Sequence, residues 1–565
     1  MHSRRQAFAT LAALFASTTS AQNDEAYASG ALGPGPYTTF VSSPATPPLW
    51  NHVLPINETI KSQLMSGLVF IGPRGTDTHQ AAPYIYNQTG ELVWDGGVDG
   101  YTQTMAYSVQ EYQNKPVLAI WQGQFNAGGY GFGYNLLLNQ SYQVVGNVTT
   151  DLAGLAADIH EFQITANDTA LLSAYNTTSM DLTPYGGPAE GYILDGLFQE
   201  VDIASGKGLF TWKSLDHVDP AECYVNPGNT GTDALAWDYF HINSVEKDFR
   251  GNYLISSRHC HAAYYIDGAN GEILWRLGGK NSTFTGAGSE FYFQHDVRFH
   301  SSNNSQISIF DNGATSWETS EATARGLLIN LDYSNLTATL ATEAIPLYNL
   351  TVAKSQGNVQ IQENGNMMIG WGQMPWLGEH NPAGTPLWAA QFGVGDVQAY
   401  RAHRTVWRGY PNTMPSLAIA NGSSVGYASW NGATEVATYE LLGSNDASAV
   451  VSLSNTSAVG RFETNFTIPS TTRYSYYQVR ALDAGSEPLG YSEFVSSTNG
   501  TTAQPAASQT PAVGAANATT ASSSMGTAMA TDPASTGRPA SSSSKVAGSM
   551  WAVIALVATA SWQLQ

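Results

Sequence analysis

Residues 237–279 read WDYFHINSVEKDFRGNYLISSRHCHAAYYIDGANGEILWRLGG. Cut at its turns, the stretch becomes four short β runs, 240–245, 253–257, 262–266 and 272–275. Arg250-Gly251-Asn252 separates the first two, and Asp267-Gly268-Ala269-Asn270-Gly271 the last two. Runs rich in Ile, Tyr, Val and Trp, broken by Asn/Asp/Gly turns, are what antiparallel hairpins require. The pattern restarts at Phe293-Gln294-His295-Asp296-Val297 and Gln306-Ile307-Ser308-Ile309-Phe310. Four strands and a restart predict one blade of a β-propeller.

The end of the unit recurs along the chain. Gly271-Glu272-Ile273-Leu274-Trp275 matches Gly90-Glu91-Leu92-Val93-Trp94, with looser copies at Gly208-Leu209-Phe210-Thr211-Trp212 and Gly384-Thr385-Pro386-Leu387-Trp388. The tryptophans are 118, 63 and 113 residues apart. One degenerate copy in each long gap, at 142–145 and 335–340, gives a period of about 60 and six blades. Gly makes the turn, and a large flat ring ending a strand can seal the seam to the next blade. The expected propeller spans 63–411, after an arm at 22–62 rich in Pro, Gly and Ser. Residues 412–497 differ in texture. Trp430 comes early as a core residue and the alternating run 474–481 late, which predicts a small fibronectin- or immunoglobulin-like β-sandwich. The fold class is therefore all-β.

Charge limits the partners. Lys and Arg number 23 against 44 Asp and Glu, a net charge of −21. Such a chain has no basic surface for phosphates, so nucleic acid is excluded. Residues 1–21, with Arg4 and Arg5 before an apolar run and a small-residue end, read as a secretory signal. Asn-x-Ser/Thr sequons agree with secretion, among them Asn57, Asn87, Asn147, Asn167, Asn176, Asn281, Asn303, Asn335, Asn349, Asn421, Asn455, Asn465, Asn499 and Asn517. The two cysteines, Cys223 and Cys260, are expected to pair in an oxidising compartment; two separate buried thiols are the alternative. Residues 498–545 are a Ser/Thr/Ala/Pro-rich stalk. Residues 546–565 read as a glycolipid-anchor signal or a membrane helix. The expected place is the cell surface or wall, anchored to the plasma membrane, as a monomer.

The innermost strands of a propeller line its channel, so polar residues there are the candidates for a site. His160, His241 and His295 each start such a run and could serve as nucleophile, general base or ligand. His79 is a weaker case. Asp296 and Asn243 could hold tautomers, and Arg258 could clamp an oxyanion bidentately. His259 and His261 alternate around Cys260, so both would point one way, either supporting the site residues or lying on the blade surface. Arg401, His403 and Arg404 form a local positive cluster. Each of these could equally be a structural polar group bonded to a neighbouring blade. No nucleotide-binding loop, zinc-protease helix or nucleophile elbow is present.

One ordered set of motifs goes further: His241-x-Asn243-Ser244-Val245, Leu254-Ile255-Ser256-Ser257-Arg258, Gly271-Glu272-Ile273-Leu274-Trp275-Arg276-Leu277-Gly278-Gly279, Gln294-His295-Asp296 and Phe310-Asp311-Asn312-Gly313. Over residues 66–410 the chain resembles the arylsulfotransferase family, in particular its fungal secreted branch. The resemblance implies a six-bladed propeller that moves a sulfuryl group from a phenolic sulfate ester to another phenol. It implies ping-pong chemistry through a sulfohistidine, with neither a nucleotide sulfate donor nor a cofactor, and small aromatic substrates. By motif, His241 would bind or polarise the sulfate, Arg258 would be the channel arginine and His295 a second sulfate-binding or acid–base histidine. His160, Asn243, Asp296, Arg401 and Arg404 would bind substrate. One departure stands out. The family's covalent histidine lies in a later blade, and the comparable run here, Gly357-Asn358-Val359-Gln360-Ile361, has none; the later histidines are His380 and His403. Either the nucleophile has moved to His241 or His295, or the chain does something else. Two other readings are a non-catalytic cell-surface propeller that binds a partner, and an extracellular propeller oxidoreductase or lyase using a metal or cofactor among the histidines.

Overall fold

The stretch at 237–279 folds as one four-stranded antiparallel sheet, Ile242–Lys247, Tyr253–Ser257, Ala262–Ile266 and Ile273–Gly278, paired in chain order. The first strand starts two residues later than its sequence suggests, and His241, just before it, has φ 54°, in the left-handed region and outside the extended conformation of a strand. The computed structural model describes residues 21–502, except 127, 348–351, 421–422, 447–448, 469–472, 498–499 and 501.

Five such sheets follow one another, with first strands Ser108–Tyr112, Phe162–Ile164, Ile242–Lys247, His295–Phe299 and Asn358–Ile361. A further sheet is built from both ends of this region. Its first strand, Gln398–Thr405, pairs with Leu68–Arg74, followed by Tyr84–Tyr86 and Leu92–Asp95. The first strands face a common centre, since Glu161, Arg298 and Arg401 from three sheets pair there. The arrangement is all-β and propeller-like.

The repeated tryptophans explain the order of sheets. Trp94, Trp212, Trp275 and Trp388 all lie on last strands and are buried. The two weak copies also fall on last strands, Val144–Val148 and Thr337–Ala344. Trp212 donates its Nε1–H across the seam to the Gly271 carbonyl at 3.0 Å, and Trp94 stacks on Tyr142 at 4.9 Å. Each such ring contributes roughly 4–6 kcal/mol of gross apolar burial.

Within the arm at 22–62, Asn51–Leu54 adds a fifth strand to the sheet that begins at Asn358. Beyond 411, Ser416–Ile419, Val425–Ser429 and Glu463–Thr467 form one sheet. Val450–Ser457, Thr438–Ser444, Tyr476–Leu482, Pro488–Tyr491 and Val495–Ser496 form another. They share a core of Ala428, Tyr439, Leu441, Phe466 and Val479, against which Trp430 packs half-buried. Asn431 and Asp95 tie this part to the Leu68–Asp95 strands by exchanging two backbone–amide bonds of 2.9 and 3.0 Å.

Cys223 and Cys260 form a disulfide. None of these sequon asparagines that fall among the described residues is buried; Asn349, Asn421, Asn499 and Asn517 lie outside those residues. The expectation of a membrane partner is corrected: no helix among the described residues is long and apolar enough to cross a membrane. The signal at 1–21 (but for Ala21), almost all of the stalk and the tail at 546–565 lie outside the described residues.

Candidate functional site

His160, His241 and His295 stand where the chain enters the first strands of three successive sheets. The rings of His160 and His241 are 4.7 Å apart, and those of His241 and His295 are 6.5 Å apart. Tyr400 closes the group at 5.8 Å from His160 and 6.2 Å from His295. The backbone here is unusual. His241 and Asp296 (both φ 54°), Phe293 (54°), His261 (51°) and Gln356 (64°) all take left-handed conformations without being glycine. Each costs about 1–3 kcal/mol and persists only where the surroundings fix it, and such residues gather at functional sites.

Hydrogen bonds set the tautomer of each ring. His241 donates Nδ1–H to Asp238 Oδ2 at 2.5 Å, and His160 donates Nδ1–H to Asp158 Oδ2 at 2.5 Å. Neither Nε2 has a hydrogen-bond partner among the described residues. His295 differs. The Asn312 amide N–H groups go to the Ala353 and Gln356 carbonyls, so its Oδ1 accepts His295 Nδ1–H at 2.7 Å. The Nε2 of His295 then accepts the Gln356 backbone N–H at 3.2 Å. His241 and His160 therefore keep free lone pairs, and that of His295 is already engaged.

Arg258 supplies the positive charge. The turn that carries it is bolted to His241 by the Arg258 backbone N–H, which donates to the His241 carbonyl at 2.9 Å. Its Nη1 donates to His259 Nε2 at 2.9 Å and its Nη2 to the Lys354 carbonyl at 2.7 Å, while Nε is buried without a partner. His259 in turn gives Nδ1–H to the Asp238 carbonyl at 2.6 Å. Burial, then the charges of His160 and Arg258, push the His241 pKa well below its ordinary value despite Asp158. Burial and Arg258 do the same to His295. Burial raises Asp238, partly offset by His259, His160 and Arg258. At Asp158 burial is outweighed by His160 and by the Gly131 and His160 N–H groups, which hold the carboxyl below its usual range. The result at His241 is a neutral imidazole with Nδ1 protonated and Nε2 unprotonated.

The other side of the histidines is closed by charge. Glu161 pairs with Arg298 and, at 3.1 Å, with Arg401; Asp296 lies 2.9 Å from Arg298 and 3.5 Å from Arg401. Beyond this network a cavity of about 350 Å³ is lined by Arg298, Arg401, His300, His403 and Gln360 together with apolar groups such as Phe162 and Val359.

Of the residues singled out from sequence, His160, His241, His295 and Arg258 come together. Asp296 and Arg401 belong to the ion-pair network. Asn243 holds neighbouring first strands, donating to the Gln294 carbonyl at 2.7 Å and accepting from Asp296 N–H at 3.3 Å. Arg404 lies on the opposite face of its strand from Arg401, buried against Glu379 at 2.8 Å and over Trp388, so it does not join the group. His79 stacks on Tyr37. His259 and His261 do not alternate on a strand. They sit in the turn between Tyr253–Ser257 and Ala262–Ile266, where His261 stacks on Tyr224. Asp158, Asp238, Glu161, Arg298 and Tyr400 escaped sequence reasoning, and Asn312 stood in a quoted motif without a role; the signal for the two aspartates was an Asp two or three residues before His160 and His241. Asp238, His241 and His259 also bring ligand atoms within 4.8 Å of one another, close enough to hold a cation.

The arylsulfotransferase (ASST) family model matches residues 108–393. No curated protein sequence matches the chain. Among solved structures, a protein of unknown function from Bacteroides caccae is 14% identical with a TM-score of 0.35, covering 60% of this chain and 98% of its own. The periplasmic gluconolactonase PpgL of Pseudomonas aeruginosa is 12% identical at 0.32, covering 71% and 99%. The β-propeller domain of Myceliophteria thermophila Cps50 (Swd1) is 8% identical at 0.29, covering 58% and 96%. Likenesses at these scores carry no argument.

Proposed function

From its place in the arylsulfotransferase (ASST) family, to which this chain belongs, we propose that it moves a sulfuryl group between phenolic compounds through His241. The sheets are read as six blades of a propeller followed by a fibronectin-like sandwich. One observation carries the reading: Asp238 takes the Nδ1–H of a buried, neutral His241, which leaves Nε2 unshared as a nucleophile, and the charge of Arg258, whose Nε–H is unpartnered, acts on that ring.

The chemistry balances without further groups. The Nε2 lone pair forms the N–S bond to the sulfur of an aryl sulfate as the S–O bond to the aryl oxygen breaks, and phenolate leaves. Arg258 stabilises the sulfuryl oxygens, and Asp238 stabilises the imidazolium-like adduct. The phenolate leaves to solvent as the anion, and His160, oriented by Asp158 with its Nε2 lone pair free, takes the proton of the acceptor phenol and passes it to solvent. The acceptor oxygen then attacks sulfur, and the N–S electrons return to Nε2. His295, with its lone pair engaged, is a binding group in this scheme. Secretion is supported by the disulfide and by the surface placement of the described sequons.

The experiment is transfer from 4-nitrophenyl sulfate to phenol by the glycosylated protein, beside His241→Ala and His160→Ala. Acceptor-dependent nitrophenolate release, abolished by His241→Ala and reduced by His160→Ala, is expected. A non-catalytic binding propeller is the second reading, favoured by the ion-pair network that closes one side of the site. Absence of transfer to every phenol tried from folded protein would support it.

A further inference from the structure

The loop after the Gln306–Asp311 strand carries Trp317, which is 47% exposed, whereas the tryptophans of the last strands, Trp94, Trp212, Trp275 and Trp388, are buried. The loop does not need that side chain. Its shape is set by Thr315 Oγ1, which accepts the N–H groups of Trp317 at 3.2 Å and Glu318 at 3.0 Å, by Thr315 N–H donating to the Glu318 carbonyl at 2.7 Å, and by Ser320 N–H donating to the Gly313 carbonyl at 2.8 Å. The indole meets two rings, His259 at 6.2 Å and Phe293 at 6.5 Å, both steeply inclined and neither stacked on it. Arg258 is held by the same two rings: its Nη1 donates to His259, and its guanidinium lies 5.4 Å over Phe293. An open indole and the cation of the site therefore flank one pair of buried side chains.

We infer that Trp317 is the platform on which the aryl ring of a sulfate ester stacks while its sulfate group meets Arg258, so that Trp317 selects planar aromatic esters over alkyl ones. The inference rests on the reading of the site as one for aryl sulfates, but its consequence is a binding preference that needs no turnover. An exposed indole offers a stacking face at little entropic cost, because only two side-chain torsions need to be fixed. Trp317 is a positioning residue in this account, touching the ring and not the reacting atoms.

The test uses two sulfonates whose C–S bond cannot transfer, 4-toluenesulfonate and hexanesulfonate, titrated calorimetrically into the whole glycosylated protein. Trp317→Ala should weaken 4-toluenesulfonate roughly two- to ten-fold and leave hexanesulfonate unchanged. Trp317→Phe should restore most of the loss. Arg258→Ala should weaken both ligands. Equal binding of 4-toluenesulfonate by wild type and Trp317→Ala, equal weakening of both sulfonates by Trp317→Ala, or no binding of either by wild type overturns the inference. Selective weakening in a protein that transfers no sulfuryl group would uphold the platform and refute the proposed reaction, so the two failures are separable.

Discussion

Replacing Asp238 by Asn changes little in volume, yet it should silence His241. Asp238 Oδ1 accepts the His241 backbone N–H at 3.1 Å, and Oδ2 accepts Nδ1–H at 2.5 Å. In the variant the amide oxygen must take the backbone N–H, because the amide nitrogen cannot accept it. The NH₂ group then faces Nδ1. A donor in that place turns Nδ1 into an acceptor and moves the ring proton to Nε2, where the nucleophilic lone pair had been. Restoring the reactive tautomer means opposing a buried hydrogen bond and losing the carboxylate beside the developing positive charge. Together these are worth about 3–5 kcal/mol, or roughly 10²–10⁴ in kcat. Donor binding should change little, since Arg258 keeps its contacts with His259 and Lys354. The assay is nitrophenolate release under single-turnover conditions, with thermal melting to confirm the fold. An Asp238→Asn protein that stays folded and transfers within three-fold of wild type would refute the tautomer argument.

Three further outcomes follow from the same geometry. Glu161→Ala leaves the buried guanidinium groups of Arg298 and Arg401 with Asp296 as their one carboxylate in the network, so urea unfolding should show a loss of about 3–5 kcal/mol; a loss below about 1 kcal/mol would contradict the network's role. Glu246 is raised by burial to about 7, with Arg298 opposing. A carboxyl raised in the folded state stabilises fully below its unfolded pKa of about 4.5, and that contribution is lost as pH rises through 7. Glu246→Gln should therefore gain up to about 3 kcal/mol relative to wild type between pH 5 and pH 8, and a parallel pair of melting curves against pH would contradict this. Asn358→His, which places a histidine in the later first strand, should destabilise by about 2 kcal/mol or more and add no activity. The Asn358 amide donates to the Ala402 carbonyl at 2.9 Å and accepts its N–H at 2.8 Å, a pair of bonds that an imidazole cannot make. A stable and more active variant would reverse that assignment.

Much of the architecture was legible because it repeats. Gly-x-x-x-Trp marks last strands at Trp94, Trp212, Trp275 and Trp388, since a flat ring at a seam is useful in every unit. The histidines were legible because each opens a β run. What joins them was not. Asp238 meets the His241 ring because the positive φ at His241 folds the chain back, a conformation that no propensity announces. Asp296 and Asn243, expected to hold tautomers, are instead engaged in an ion-pair network and a strand-to-strand bridge. Glu161, Arg298 and Arg401 are 137 and 240 residues from their partners, and only the folded chain brings them together. The run 398–405 looked like a positive cluster; it is the strand that completes the sheet begun at Leu68.

The central claim is that His241 carries the sulfuryl group. Mixing the protein with 4-nitrophenyl sulfate in the absence of acceptor, quenching in alkali and mapping peptides by mass spectrometry tests it directly. The account predicts one sulfuryl adduct, on the peptide bearing His241, formed with the nitrophenolate burst and discharged by phenol. A burst without an adduct, or an adduct on His160 or His295 with His241 unmodified, would contradict it.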